Sequence, residues 1–131
     1  MKNKLHGLSP QMFSVKKYYN KKVEYDGIKF DSIKEKDYYI ILQASLKCGL
    51  IKDLKRQVPF ELIPTYKKNG RTIRKMQYIA DFTYITTKDN KLHVVDTKGY
   101  RTEVYKLKKK LFEYKYNMEI EEIWSKLTLI I

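Results

Sequence analysis

A single cysteine, Cys48, leaves this sequence without an intramolecular disulfide and without the ligands of a multi-cysteine zinc site. Histidine is nearly as scarce, and His6 and His93 are too separate to make an imidazole metal cluster. Any metal would therefore be held by carboxylate oxygens, which suits Mg²⁺ or Mn²⁺. No apolar run approaches the roughly 20 residues of a transmembrane helix, so no membrane span is expected. The opening MKNKLHGLSPQMF carries basic residues but no apolar segment or small-residue cleavage site. No signal peptide is expected from it, and the expected location is cytoplasmic. Acidic residues are also in short supply: 15 stand against 28 Lys and Arg, a formal net charge of +13. Such an excess costs stability through self-repulsion and points to a polyanionic partner: DNA, RNA or an anionic membrane surface.

What is present suits one globular domain. Hydrophobic residues make up 43% of the 131 positions, enough for a core. Residues 1–14 read as a loose basic arm and 15–131 as a single domain. KKVEYDGIKF (21–30) predicts a hairpin turning at Asp26-Gly27. Ser32 precedes a helical stretch, IKEKDYYIILQASLKC, which Gly49 would end. The next stretch is β-rich. IKDLKRQV, PFELIPTY, RTIRKMQYIADFTYI and KLHVVDTKG follow as strands, with turns at KKNG and TKDN. A second helix is expected in TEVYKLKKKLFEYKY, with Val104, Leu107, Leu111 and Tyr114 at helical spacing among lysines. IEEIWSK predicts a last strand before the apolar tail LTLII. The fold class is α+β: a mixed, mainly antiparallel sheet flanked by helices.

Charge in the middle of strands is the feature that needs explaining. Asp81 lies within YIADFTY, and Asp96 and Lys98 end the next strand. An isolated buried carboxylate costs on the order of several kcal/mol. Period 2 puts Asp96 and Lys98 on one side with Leu92 and Val94, and His93, Val95 and Thr97 on the other. The short turn pairs the two strands, so Asp81 approaches Asp96 across the ladder. A hard divalent cation between them, helped by the Thr97 carbonyl, would relieve the repulsion and leave Lys98 to meet a phosphate. The plainer alternative is a solvated ion pair at a strand end. Of the 12 tyrosines, Tyr18, Tyr19, Tyr38, Tyr39 and Tyr78 have basic or polar neighbours; most fit half-buried packing with the hydroxyl in water, and a few could contact nucleic acid.

The constellation resembles the PD-(D/E)xK nuclease superfamily. Asp81 matches its motif aspartate, Asp96-Thr97-Lys98 its acid-x-lysine element, and Glu35 in DSIKEKDYY its helix glutamate. Ala80 stands where the nominal proline would be. The stretches GIKFDSIKEKDYY, LKRQVPFELIP, YIADFTY, VVDTKG and TEVYKLKKKLFEYKY are also similar to a family of small phage-encoded proteins placed in that superfamily. The resemblance implies a restriction-endonuclease-like core and a Mg²⁺- or Mn²⁺-dependent DNA endonuclease acting in the cytoplasm of a bacterial host. Implied metal ligands are Asp81, Asp96, Thr97 and Glu35; Lys98 is catalytic, and Gln57 resembles an active-site glutamine. Arg101, Lys106, Lys108, Lys109 and Lys110 would hold the DNA backbone, and one site per chain suits a homodimer. For Glu35 a second reading stays open, because Ser32-x-x-Glu35 is also a helix capping box. Two other functions stay open as well: a catalytically inactive nucleic-acid-binding regulator, and a basic protein that binds a host factor.

Overall fold

In a computed structural model the described residues are 21–124. The expected arm over 1–14 and the tail LTLII lie outside them, as do Tyr18, Tyr19 and His6. A hairpin comes first, β1 (Val23–Tyr25) and β2 (Ile28–Phe30). Asp26 (φ 53°) and Gly27 (φ 75°) form the two-residue turn with positive φ that matches strand twist. Helix α1 (Ile33–Lys47) follows, and the Ser32 hydroxyl accepts from the Glu35 N–H at 3.0 Å. Its buried residues Glu35, Tyr38, Tyr39, Leu42 and Ser45 recur every three or four positions, one face of a helix.

Strand β3 (Ile51–Ile63) is continuous where two strands were expected. Pro59 does not break it because β3 is the edge strand of the sheet, where a missing N–H can face away from the ladder. A second hairpin, β4 (Tyr66–Lys68) and β5 (Arg71–Ile73), turns at Asn69-Gly70. The run RTIRKMQYIADFTYI, expected as one strand, divides here into β5 and β6 (Met76–Thr86). At the division the Lys75 N–H donates to the Thr65 hydroxyl (3.2 Å). Strand β7 (Lys91–Thr97), helix α2 (Glu103–Tyr116) and strand β8 (Ile120–Ile123) follow and end the elements of the described residues. The main sheet has the order β3-β6-β7-β8, antiparallel except for the parallel β7–β8 pair.

The neighbours Val94 and Val95 on β7 point to opposite faces, and each face has its own helix. Val95 packs with Tyr38, Tyr39 and Leu42 of α1, and Val94 with Tyr105 and Phe112 of α2. The buried side of α2 is therefore not the expected stripe. Val104, Leu107 and Tyr114 are exposed, Tyr114 by 89%. Phe112 instead meets Phe60 edge-on at 5.1 Å and Tyr78 at 5.6 Å, so the largest aromatic contacts orient the helix.

Strand alternation fails at one level of the sheet. On β6, Tyr78 and Ala80 pack on the α2 side, yet Phe82 and Tyr84, of the same parity, pack on the α1 side. On β3, Leu54 packs with the α1 side and Phe60 and Leu62 with the α2 side. The reversal falls at Asp81 and at the residue facing it, Gln57, whose φ is +52°. A non-glycine residue in left-handed conformation inside a strand is strained and turns the chain over. Asp81 is thereby released from both packed faces.

Candidate active site

The level at which the strands turn over is also where the charged residues meet. The last paired residues of β6 and β7 are Phe82 and Val95. One step further, where Asp81 and Asp96 would face each other, the backbone ladder is replaced by side-chain contacts. Oδ2 of Asp81 accepts from both the N–H and the hydroxyl of Thr97, each at 2.8 Å. Thr97 was expected to act through its carbonyl; its amide and hydroxyl were not anticipated. N–H and C=O of one strand residue point the same way, so that carbonyl also looks toward β6.

Asp96 is 6% exposed. Its Oδ1 accepts from the Tyr78 hydroxyl at 3.1 Å, and its Oδ2 pairs with Lys98 Nζ. The Lys98 ammonium sits 3.5 Å from the centre of the Tyr105 ring, so α2 supplies the floor beneath it. Lys34 reaches from α1 to donate to the carbonyls of Lys98 (2.9 Å) and Trp124 (2.8 Å). That side chain ties the end of β7 to the end of β8.

Glu35 is 2% exposed and makes only half of the expected capping box. Its N–H is capped by Ser32, but its carboxylate bypasses the Ser32 N–H of a capping box. One oxygen accepts from the Asp31 N–H (3.1 Å) and the other from the Gln57 amide (2.9 Å). The left-handed turn at Gln57 thus brings its side chain to the helix glutamate.

Electrostatics link the acids. Burial, then the charge of Asp81, raises Glu35 from 4.5 to about 7. Burial, then Asp81 again, raises Asp96 to about 6 against the pull of Lys98 and Tyr78. Asp81 itself is raised by burial, opposed by the two Thr97 donors and by Lys98. Asp81 is therefore felt by Glu35 and by Asp96. Asp31, which the sequence did not single out, adds negative charge against both Glu35 and Asp81. Tyr105 was missed, and Tyr78 was weighed only as packing or a nucleic-acid contact, since a tyrosine in a strand or helix carries no signal for a carboxylate partner. The Tyr78 hydroxyl is measurable: Tyr78→Phe is expected to cost about 1–2 kcal/mol at pH 8 by chemical denaturation, because a buried carboxylate loses a donor. An unchanged midpoint would remove Tyr78 from the site.

The residues expected to hold DNA are less free than their sequence suggests. Arg101 pairs with Glu122 and lies over the Trp124 ring at 5.2 Å. Lys106 pairs with Glu103 at 3.1 Å and Lys109 with Glu113 at 2.8 Å. Lys106, Lys109 and Lys110 line an open cleft with Glu113, while Lys108 is half-buried. Tyr38, Tyr39 and Tyr78 are core residues.

A family model described as a protein of unknown function (DUF1064) matches residues 15–130. No curated protein and no solved structure matches the chain.

Proposed function

We propose, for a chain that belongs to the DUF1064 family of proteins of unknown function, that it is a metal-dependent DNA endonuclease with a PD-(D/E)xK site on a restriction-endonuclease-like core. One observation carries the reading: Asp81 stands where the strands turn over, its charge raises both Glu35 and Asp96, and Lys98 pairs with Asp96. Two buried acids raised by the charge of a third are a costly arrangement for stability alone, and a cation relieves it.

The donor set suits Mg²⁺ or Mn²⁺ in its chemistry, being hard carboxylate and carbonyl oxygen throughout. Among the described residues no three acids, histidines or cysteines are arranged to hold an ion as they stand. Lys98, Tyr78, Thr97 and Gln57 occupy the carboxylates instead. Oδ1 of Asp81 accepts no hydrogen bond among the described residues. Asp81, Asp96 and the Thr97 carbonyl would hold the ion, with Glu35 as a further ligand or as the group orienting water. The ion would supply water activation and neutralisation of phosphate charge. Lys98 then leaves Asp96 for the scissile phosphate, and the α2 lysines with Arg101 hold the backbone. Branched, replication or recombination DNA and plain duplex are all compatible with the site, and a homodimer would cut both strands.

A second reading, a nucleic-acid-binding regulator without catalysis, is favoured by the closed Asp96–Lys98 pair. The deciding experiment offers linear duplex, single-stranded and four-way-junction DNA with Mg²⁺, Mn²⁺ or EDTA. Cleavage is expected with either metal and none with EDTA. Binding without cleavage under all conditions would favour the regulator. Independently of activity, Mg²⁺ should raise the melting temperature at pH 8 by about 3–5 °C, the equivalent of about 1 kcal/mol. Near pH 5, where the raised acids keep their protons, the shift should vanish. An equal shift at both pH values would place binding outside these acids.

A further inference from the structure

We infer that the β4–β5 hairpin is the main nucleic-acid-contacting element and that it seats in the major groove of duplex DNA, an inference resting on the reading of this chain as a DNA-acting protein. Between Pro64 and Lys75 the sequence PTYKKNGRTIRK holds five cations, Lys67, Lys68, Arg71, Arg74 and Lys75, and no acid. All five are exposed, and none enters an ion pair among the described residues. On α2, by contrast, Lys106, Lys109 and Lys115 each have an acidic partner.

Within the hairpin, Lys68 stands directly opposite Arg71 at the tip, a like-charge pair that weakens a ladder. The hairpin makes a two-stranded sheet of its own, outside the main one. Nothing within the described residues offsets that repulsion, whereas a row of phosphates would. Tyr66 and Ile73, the other opposed pair on the Lys68 side, offer apolar edge contacts alongside the cations.

Shape selects the partner. A two-stranded ribbon fits the major groove of B-form DNA, about 12 Å wide, but not the deep, narrow one of duplex RNA. Reach agrees with this. From Asp81 back along β6 to Lys75 the strand path is about 20 Å, and to Arg71 about 34 Å, at about 3.4 Å per residue. A duplex at Asp81 would meet the hairpin within about one helical turn.

The test uses the full chain in EDTA, so that binding is read without cutting. K68Q/R71Q/R74Q is compared with wild type and with K106Q/K109Q/K110Q by fluorescence anisotropy. The probes are a DNA duplex, the matching RNA duplex, and vesicles of phosphatidylcholine with phosphatidylserine, at several salt concentrations. The hairpin variant should bind DNA about 10- to 100-fold more weakly near 0.1 M salt. Its salt slope should fall by about 2–3, near 0.9 for each phosphate no longer neutralised. The α2 variant should be affected less, and wild type should prefer the DNA duplex to RNA. Circular dichroism confirms folding, which exposed substitutions leave intact. Wild-type DNA affinity in the hairpin variant, an equal preference for RNA, or a loss confined to vesicles would each overturn the proposal. A variant that binds normally while wild type cleaves would end the hairpin inference and spare the nuclease reading. Hairpin-dependent binding by a protein that never cleaves would do the opposite.

Discussion

Lys98→Ala is expected to lower DNA cleavage by about 10³-fold or more, the range of a positioned acid–base or charge-stabilising group. DNA affinity should stay within about 2-fold, because one phosphate contact is a small share of the ionic contribution to binding. The geometry gives the reason. Lys98 is held between Asp96 and the Tyr105 ring, and its backbone is fixed by Lys34 and by its own N–H to the Ile123 carbonyl (2.8 Å). Its ammonium is therefore placed in advance and needs only to exchange a carboxylate for a phosphate. Removing it strands Asp96, and a broken buried pair can destabilise the fold by about 3–5 kcal/mol. The double variant D96N/K98M removes the pair without leaving a charge behind, and it keeps an apolar stem over Tyr105. Both variants should be folded by circular dichroism and inactive. A folded Lys98→Ala protein that cuts at the wild-type rate would falsify the assignment.

The second large effect is on stability and runs in an unusual direction. Glu35 and Asp96 are raised in the folded protein, to about 7 and about 6, by burial and by Asp81. The folded state thus binds protons more tightly than the unfolded chain. The stabilisation is complete below the unfolded values, 4.5 and 3.8, and is lost as pH rises through the folded ones. Metal-free protein should lose stability between about pH 4 and pH 7 instead of gaining it. At about 1.4 kcal/mol per pH unit, the rise of Glu35 from 4.5 to about 7 alone accounts for on the order of 3 kcal/mol.

Glu35→Gln tests this and separates the two roles of the residue. The variant keeps an acceptor for the Asp31 N–H, and Gln57 can present its amide oxygen to the new amide. The variant should match wild type near pH 4 and exceed it at pH 8 by on the order of 1–2 kcal/mol, read from urea midpoints. Asp96 keeps part of the slope. Cleavage should fall by about 10²-fold, as for loss of a charged group at the reacting centre. A variant less stable than wild type at pH 8, with full activity, would leave Glu35 only as the structural acceptor for Asp31 and Gln57.

Much of the fold was legible because the deciding signals are local. Asp26-Gly27 and Asn69-Gly70 turn because the backbone needs positive φ there. Ser32 caps α1 through its own hydroxyl, and Thr102 caps α2 by accepting from the Tyr105 N–H. The alternation Leu92, Val94, Asp96 against His93, Val95, Thr97 decided which residues share a face of β7, and Val94 and Val95 do lie in different clusters. The strand through Pro59 was not legible, since only its place at the sheet edge makes proline acceptable. Nor was the buried face of α2. Two apolar stripes compete on that helix, and contact of Phe112 with Phe60 and Tyr78, distant in sequence, chooses between them.

The candidate site divides the same way. By itself the sequence determined its inventory: Glu35 on a capped helix, Asp81 in one strand, Asp96 and Lys98 two apart in the next, and a large basic excess. Spacing along a helix or strand is enough for that, because backbone geometry repeats. Only the tertiary structure decided that β3 and β6 turn over together at Gln57 and Asp81, and that Tyr78, Thr97 and Gln57 supply the donors. It likewise decided which lysines are neutralised and which cations stand unpaired on the hairpin. These depend on a strained φ and on contacts between residues far apart in the chain, and burial, which sets the raised acids, exists only once the layers close.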